Sequence, residues 1–388
     1  MEPRLNPYQP GSGLRPPEMT GREPELEAFD TVIARTGNRL TNRGIILSGL
    51  RGVGKTVLLN ELRSLAHKHE WLAVHVEAGG STTGNDAVRK KLGRALVQAA
   101  REYKTRSTAK RIADALSSIG SFTTSLGVPG VSFGLTLAPG RADSPDLALN
   151  LEEMVQDVAT ALRPEGRALA IFVDELQDLD KELLSALITV QHRAGQEGWP
   201  FYVIGAGLPN LPAVLSDVRS YAERLFEYRH IGPLSPPAAA NALKVPAERM
   251  GAQYAPEALA LLTDATQGYP YFLQEYGKAI WDLAPERTFT TADAEAAIRI
   301  GQDRLDQGFY PSRWDRATPA ERRFLAAMAE DGDAGSRTAE IARRLGKKPA
   351  SLGPARASLI GKGLVYAPAH GQIEFTVPGM SAFIARQR

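Results

Sequence analysis

The stretch GLRGVGKT, residues 49–56, constrains this chain more than any other part of its sequence. It fits the spacing G-x-x-x-x-G-K-[ST], follows the apolar run GIILS (44–48), and precedes a segment in which Leu58, Leu62 and Leu65 share one helical face. Glycines let successive backbone N–H groups converge on one point at the positive end of a helix, and such a point binds phosphate. The sequence therefore predicts a phosphate-binding loop between a strand and a helix.

The loop supplies most of the candidate ligands for a nucleotide. The Lys55 ammonium is expected beside the β- and γ-phosphates, and the Thr56 hydroxyl is expected to bind Mg²⁺. The expected cofactors are therefore ATP and Mg²⁺. The predicted binding residues of the loop are Gly49, Gly52, Val53, Gly54, Lys55, Thr56 and Val57.

A second candidate segment is IFVDELQDL, residues 171–179, in which an apolar run ends in Asp174 and Glu175. Two acids could simply cap a strand. With a phosphate loop upstream, however, Asp174 is expected to bind Mg²⁺, and Glu175 to polarise the attacking water as a catalytic base. An acid directly after the metal-binding aspartate favours hydrolysis over transfer to a second substrate.

Alternating apolar strands and amphipathic helices predict an α/β fold with a parallel sheet covered on both faces. We expect a helix-only lid after the sheet domain, and then a small C-terminal domain. The expected boundaries are an extended arm at 1–20, the α/β ATPase domain at 21–234 with an inserted hairpin or flexible loop at about 119–145, the lid at 235–300, a linker at 301–317 and the C-terminal domain at 318–388.

The C-terminal segment 318–388 has the order of elements of a winged helix-turn-helix domain. In the expected wing strand, Ile373, Phe375 and Val377 alternate inward with Gln372, Glu374 and Thr376 outward. The segment carries 11 Lys and Arg against 6 Asp and Glu, whereas the whole chain has a net charge of only +2. This excess favours DNA as the partner, since phosphates are neutralised by Lys and Arg. Such domains also bind proteins, so a protein partner stays open.

The candidate DNA-binding residues lie in the third predicted helix of that domain and in the turn before it. They are Lys347, Lys348, Ser351, Arg356 and Lys362. The chain has no cysteine and no apolar run of the roughly 18 residues that span a bilayer, so we expect a cytoplasmic protein without a membrane segment.

These motifs together resemble the AAA+ ATPases of the origin-recognition-complex-like group. TGRE (20–23) is similar to the GRE motif of that group and of the STAND signal-transduction ATPases, which implies that Gly21 and Arg22 lie near the adenine. Gly268-Tyr269-Pro270 resembles the STAND GxP motif, which implies that Pro270 contacts the nucleotide. The segment 220–235 corresponds to the arginine-finger region, with Arg224 as the first candidate and Arg219 as the second.

The resemblance also shows one departure, because the strand FYVIGAG (201–207) ends without the polar first sensor, and Asn210 is the nearest polar residue. The function implied is an ATP-binding and ATP-hydrolysing AAA+ protein, whose nucleotide state controls DNA binding through the winged helix. An assembled homo-oligomer would use Arg224 on a neighbour's nucleotide. The alternatives are a STAND-like switch that docks a protein partner and an ATPase helper of a DNA-processing enzyme.

Overall fold

The computed structural model describes residues 1–79, 85–106, 110–128 and 140–387. The chain separates into two compact units. The sheet unit comprises Pro24–Ser48 and Leu58–His230, and the lid unit comprises Met1–Glu23, Gly49–Val57 and Ile231–Arg388. The phosphate loop thus groups with the C-terminal half of the chain, although the sequence places it inside a domain 21–234.

The sheet unit is built on five parallel strands in the order β2-β3-β4-β1-β5. This confirms the predicted α/β class. The strands are β1 (Gly44–Ser48), β2 (Leu72–Glu77), β3 (Leu169–Asp174), β4 (Phe201–Gly207) and β5 (Phe226–His230).

Helices connect these strands, as parallel strands require. They are α1 (Glu23–Gly37), α2 (Lys55–Lys68), α3 (Asn85–Arg106), α4 (Lys110–Ser125), α5 (Leu147–Leu162), α6 (Lys181–Glu197), α7 (Leu211–Val218) and α8 (Ala222–Leu225).

The central strands are buried along their whole length. Every residue of β1, β3 and β4 is buried, which is the pattern of strands that are covered on both faces. At one edge of the core, Trp71 stacks on Tyr202 at a centroid distance of 5.3 Å, and Phe29 meets Trp71 edge-on at 5.7 Å. Trp71 directly precedes β2 and Tyr202 is the second residue of β4, so this packing lies at the amino ends of the strands, opposite to the predicted acids.

The predicted insertion at 119–145 begins differently from the expectation. Helix α4 continues through Ser125, so residues 119–125 are helical and neither hairpin nor loop. Ile119 and Phe122 are fully buried in the core of the sheet unit, which explains why the helix extends this far. Residues 129–139, on which the rest of that prediction falls, lie outside the described residues.

The lid contains four helices and a pair of very short strands. The elements are α9 (Pro236–Arg249), β6 (Gln253–Tyr254), α10 (Pro256–Thr266), α11 (Pro270–Leu283), β7 (Thr288–Phe289) and α12 (Thr291–Arg304). The expectation that the lid contains helices alone is therefore wrong, because the strands β6 and β7 form a parallel pair. Strands of two residues carry too little alternation to be read from a sequence.

The N-terminal arm packs along the lid helices. Asn6 Nδ2 donates to Asp282 Oδ1 at 2.7 Å, and the buried Tyr8 hydroxyl lies 2.7 Å from the Tyr254 hydroxyl and donates to the Leu243 carbonyl. Apart from the 3₁₀ turn Pro3–Leu5, the arm is irregular, as the five prolines in residues 1–20 predict.

The predicted linker at 301–317 is mostly helical. Helix α12 runs to Arg304, a π-helical turn covers Leu305–Phe309, and the four-residue helix α13 covers Pro311–Trp314. Aromatic rings explain the order of this segment, because Phe309 stacks on Tyr271 and Tyr310 stacks on Phe383. The segment therefore joins the lid to the C-terminal domain through a packed core.

The C-terminal domain has the predicted order of helices and strands. It contains α14 (Pro319–Ala329), β8 (Ser336–Arg337), α15 (Thr338–Arg344), a 3₁₀ turn Pro349–Leu352, α16 (Gly353–Gly361), β9 (Val365–Tyr366), β10 (Gln372–Phe375) and α17 (Met380–Arg386). The strands form an antiparallel sheet in the order β8-β10-β9.

The alternation predicted for the wing strand holds for its apolar residues and fails at one polar residue. Ile373, Phe375 and Val377 are buried as expected. Thr376 is also fully buried, because its hydroxyl donates to the carbonyls of Gly363 at 2.8 Å and Leu364 at 3.2 Å. Thr376 therefore points inward, and its carbonyl becomes important at the site described below.

In the part of the chain that the structure describes, no helix has both the length and the apolarity that crossing a bilayer requires.

Candidate functional site

The phosphate loop needs its glycines for their backbone conformation and for space. Gly52 and Gly54 have φ of 88° and 92°, in the left-handed region that side chains disfavour. A Cβ at Gly49 would lie 2.1 Å from the carbonyl oxygen of Ile231, so no other residue fits there. Val53 is buried between these glycines, whereas Val57 is half-buried in the first turn of α2. The loop is thus a rigid turn that leads into a helix N-terminus.

Lys55 lies inside this turn. Its side chain is buried, and Nζ donates to the carbonyl oxygens of Gly49 at 3.0 Å and Leu50 at 2.8 Å. The ammonium group is therefore held beneath the loop, where two backbone carbonyl oxygens accept its hydrogen bonds. Thr56 follows as the second residue of α2 and is half-buried, so the helix N-terminus presents a hydroxyl beside the lysine.

The predicted GRE residues contact the same loop. Arg22 Nη2 donates to the carbonyl oxygens of Val53 at 3.0 Å and Gly232 at 2.6 Å. Gly21 has a φ of 72°, and a Cβ there would lie 2.7 Å from Ala238 Cβ. Arg22 therefore ties the phosphate loop to the start of the lid. The predicted adenine contact of Gly21 and Arg22 stays a prediction.

The GYP segment packs on the other side of the loop. The buried Tyr269 hydroxyl donates to the Arg51 carbonyl at 2.6 Å, and burial raises the pKa of this hydroxyl above its usual range. A Cβ at Gly52 would lie 2.9 Å from the Tyr269 ring. Pro270 begins α11, where its missing N–H costs nothing. The segment therefore contributes one aromatic residue, Tyr269, that contacts the phosphate loop.

Arg51, a variable position of the loop motif, connects the loop to the C-terminal domain. Its backbone N–H donates to the Thr376 carbonyl at 2.9 Å. A Cβ at Gly363 would lie 2.7 Å from Arg51 Nη2, so the guanidinium passes over the start of the wing. Burial and the charge of Arg51 lower the pKa of Arg313 to about 10. Nothing in the sequence near residue 51 indicates these partners.

The predicted acids lie at the carboxyl end of β3. Asp174 is buried, and its Oδ1 accepts the Glu175 N–H at 2.9 Å. Glu175 has a φ of 50°, a left-handed conformation that costs a non-glycine residue about 1 kcal/mol and is common at functional sites. A buried carboxylate at a strand end, followed by a strained, half-exposed one, fits a metal ligand followed by a base. The Asp174 carboxylate carries hard oxygen atoms of the kind that Mg²⁺ prefers.

Gln177 is a site residue that the sequence analysis missed. Its Nε2 donates to Glu175 Oε2 at 2.7 Å, and its Oε1 accepts the Leu208 N–H at 3.2 Å. One side chain thus links the candidate base to the end of β4, where a polar sensor was expected. Asn210 begins α7, and its Oδ1 is buried without a hydrogen-bond partner among the described residues. A glutamine two residues after the base was the available signal.

Arg224 lies far from the acids. It ends the short helix α8, immediately before β5, and so lies at the amino end of the parallel sheet. Glu175 follows the carboxyl end of β3, and a five-residue strand separates the two ends by about 15 Å. Arg224 is exposed in a cleft of about 500 Å³. It therefore cannot act on the phosphate that Glu175 would serve. Arg219, the second candidate, donates to Ser185 Oγ at 3.1 Å.

The predicted DNA-binding residues divide into two groups. Lys347, Lys348 and Ser351 are exposed at the turn before α16. Lys362 forms an ion pair with the buried Glu321 at 2.6 Å, and Arg356 Nη2 donates to the Gln372 carbonyl at 3.3 Å.

The pairing of Lys362 is electrostatically strong. Burial alone would raise the pKa of Glu321, but hydrogen bonds from Lys362, Ser358 and Thr318 lower it to about 2. The charge of Lys362 is therefore compensated inside the domain, and among the five predicted DNA-binding residues the exposed charged ones are Lys347 and Lys348.

Two parts of the chain match families of known proteins. Residues 18–204 match the family described as AAA ATPase domain, and residues 307–384 match a family described as a domain of unknown function. No curated protein sequence matches the chain significantly.

Solved structures resemble the whole chain. The Walker-type ATPase PABY2304 of Pyrococcus abyssi is 14% identical, with a TM-score of 0.63 over 98% of this chain and 99% of that chain. Cdc6p of Pyrobaculum aerophilum is 16% identical, with a TM-score of 0.48 over 100% and 97% of the two chains. The RuvB Holliday junction branch migration motor of Thermotoga maritima is 14% identical, with a TM-score of 0.45 over 92% of each.

The first of these similarities supports the fold, and the family match covers the phosphate loop and the acids at the end of β3. Residues 18–204 are therefore similar to the AAA ATPase domain family, and the fold of the chain is similar to that of a Walker-type ATPase.

Proposed function

We propose that this protein binds ATP with Mg²⁺, hydrolyses it, and uses its nucleotide state to control DNA binding by its C-terminal domain, which we infer to be a winged helix. The observation that carries the proposal is the position of Arg51. This loop residue is held by the lid through Tyr269 and by the C-terminal domain through Thr376.

The proposed chemistry assigns one role to each residue of the two motifs. Lys55 and the loop N–H groups hold the β- and γ-phosphates, and Thr56 and Asp174 hold Mg²⁺, which would neutralise charge on the phosphate oxygens. Glu175 accepts a proton from the water that attacks the γ-phosphorus, and ADP leaves as its bond to that phosphorus breaks. Gln177 holds Glu175 in position through the 2.7 Å hydrogen bond.

Coupling requires that the two nucleotide states differ in free energy of interaction with the C-terminal domain. The Arg51 N–H and carbonyl bind groups from two different elements, so a change in the φ and ψ angles of Arg51 on phosphate binding cannot preserve both bonds. Each bond contributes about 1 kcal/mol, so their gain or loss changes a population about fivefold to thirtyfold. This is enough for a nucleotide-dependent switch.

DNA contact is proposed for Lys347, Lys348 and Ser351. They are exposed at the turn that, in a winged helix, faces the phosphates at the edge of the major groove. The internal pairing of Lys362 and Arg356 removes two of the five predicted contacts. This loss favours one alternative, a regulatory switch whose C-terminal domain docks on protein, since that domain already binds the phosphate loop.

A double substitution separates these two functions. With Lys347→Glu and Lys348→Glu, we expect binding to a labelled random duplex to weaken at least thirtyfold at low salt, because two phosphate contacts become repulsive. Fluorescence anisotropy without nucleotide, with ADP and with a slowly hydrolysed ATP analogue would measure this.

The matched control is Arg94→Glu with Arg299→Glu, which changes two exposed arginines and the net charge by the same amount. If the lysine variant binds duplex as this control does, the DNA assignment is wrong. If the intact protein binds duplex equally in all nucleotide states, the coupling through Arg51 is wrong.

Arg224 is proposed to act on the nucleotide of a neighbouring copy, because it is exposed at the end of the sheet opposite to Glu175. We expect Arg224→Ala to lower ATP turnover at least tenfold, and only at concentrations at which sedimentation shows self-association. Arg219→Ala is the control and should retain turnover. An equal loss in a demonstrated monomer would reject action between copies.

A further inference from the structure

A row of arginines follows the amino end of the parallel sheet. The cleft beside β1 and β5 is lined by Arg35, Arg43 and Arg224. A shallower depression next to it is lined by Arg39 and Arg163, and both share Thr41. The two depressions therefore form one continuous surface, which we call the amino-edge groove.

Four of these arginines carry charge that no acid compensates. Arg35, Arg39, Arg43 and Arg163 are exposed, and none has an acidic partner within 4 Å among the described residues. The nearby acids are already bound: Glu165 by Arg167, Glu197 by Arg193 and Glu227 by Arg229. Glu223, beside Arg224, is also exposed.

Neutral groups hold the guanidinium groups in place. Arg35 donates to Asn42 Oδ1 at 3.1 Å and to the Thr41 carbonyl at 3.2 Å, and Arg39 donates to the Pro164 carbonyl at 3.3 Å. These contacts order the side chains without cancelling their charge. Arg39 also has a φ of 62°, where glycine or asparagine would be more stable. An arginine kept at this cost indicates a use for its side chain.

Helix dipoles account for only part of this charge. Arg35 lies in the last turn of α1, Arg39 follows the end of that helix, and Arg163 caps α5, so two helix C-termini face the groove. Each terminus carries about half a negative charge, and the two together compensate about one of the four arginines. Arg43 lies in the loop before β1, so its charge is not compensated by a helix C-terminus of its own segment. About three positive charges therefore remain for a ligand.

The dimensions of the groove fit a row of phosphates. It crosses the amino ends of β3, β4, β1 and β5, and three strand spacings of about 4.8 Å make a span of about 14 Å. One strand of B-form DNA carries a phosphate for about every 3.4 Å of helix rise, so this span meets about four of them. Its described lining has no stack of exposed aromatic rings, which single-strand binding uses.

We propose that Arg35, Arg39, Arg43 and Arg163 form a second binding surface, for the phosphate backbone of double-stranded DNA. Such contacts position a duplex and do not read its sequence. Arg224 lines the same cleft but is assigned to the neighbour's nucleotide above, so the proposal does not depend on it.

The test uses the full chain carrying Lys347→Glu and Lys348→Glu, so that binding through the C-terminal domain does not mask the groove. Adding Arg39→Glu and Arg43→Glu is expected to weaken residual binding to a 30-base-pair duplex at least tenfold. The slope of log K against log salt concentration should also become less negative by about two, because two phosphate contacts are lost. Adding Arg94→Glu and Arg299→Glu is the control and should cost less than about threefold.

Folding and self-association are measured on the same samples. If the Glu variant unfolds at a lower temperature than the control, Arg35→Gln with Arg163→Gln replaces it, with the same expected direction. Duplex affinity equal to that of the control overturns the proposal. Loss of self-association with unchanged duplex affinity also overturns it, because the groove is then an interface between copies. Stronger binding to a single strand than to the duplex overturns the assignment to double-stranded DNA.

Discussion

Replacing Lys55 with alanine is expected to weaken nucleotide binding by at least a hundredfold. The ammonium group is buried within the loop, where it donates to two backbone carbonyl oxygens, so its charge acts on the phosphates with little screening by water. A hundredfold loss corresponds to about 2.7 kcal/mol, which is within the range of a charge-assisted contact to a triphosphate. Titration with a fluorescent ATP analogue would measure it.

Lys68→Ala is the matched control for this prediction. Lys68 ends the same helix that Lys55 begins, and it is exposed. The Lys68→Ala protein should bind nucleotide with the same affinity as the unmodified chain. Lys55→Ala should lower the unfolding temperature by only a few degrees, because the loss of two charge-assisted hydrogen bonds, about 1.5 to 3 kcal/mol each, is offset by removal of a buried charge. Micromolar binding retained by a folded Lys55→Ala protein would remove the loop from the site.

Replacing Glu175 with glutamine is expected to separate binding from hydrolysis. The amide keeps the shape of the side chain and can still accept the hydrogen bond from Gln177, but it cannot take a proton from water. We expect ATP affinity within about threefold of the unmodified chain and turnover lower by a factor of about 10² to 10⁴. Acid-quench measurements in a single turnover would detect ATP that stays bound and unhydrolysed.

Asp178→Asn is the control for the loss of a negative charge near this turn. Asp178 is exposed three residues beyond Glu175, and its replacement should leave turnover within about twofold. Normal hydrolysis by Glu175→Gln would exclude this residue from the chemistry. A loss of ATP binding in the same variant would instead make Glu175 part of the nucleotide contact.

Contiguous segments account for most of what could be predicted. The loop 49–56, the acid pair at the end of β3 and the strand–helix alternation each depend on residues within one or two turns of chain, whose geometry is set by local sterics. The capping box of α14, with Thr318 and Glu321, is of the same kind. Of these, the α/β class is confirmed by the five-stranded parallel sheet, whereas the roles of the loop and acid residues stay predictions.

Predictions about polar residues in the C-terminal domain were weaker, because the side chain's partner decides its role. Lys362 is expected on an exposed helix face, yet it pairs with Glu321, 41 residues earlier. Strict alternation along the strand predicts that Thr376 faces outward. Its side chain is buried instead, and its hydroxyl donates to the carbonyls of Gly363 and Leu364. No pattern along the chain carries this information.

The sequence by itself determined the phosphate loop, the acid pair, the α/β class and the element order of the C-terminal domain, since each is written in spacing and periodicity. Tertiary structure alone decided which residues serve these motifs. Gln177 reaches Leu208, Arg51 reaches Tyr269 and Thr376, and arginines from separate loops meet at the amino edge of the sheet. These contacts join residues 31 to more than 300 positions apart, and packing of the core is what brings them within hydrogen-bond range.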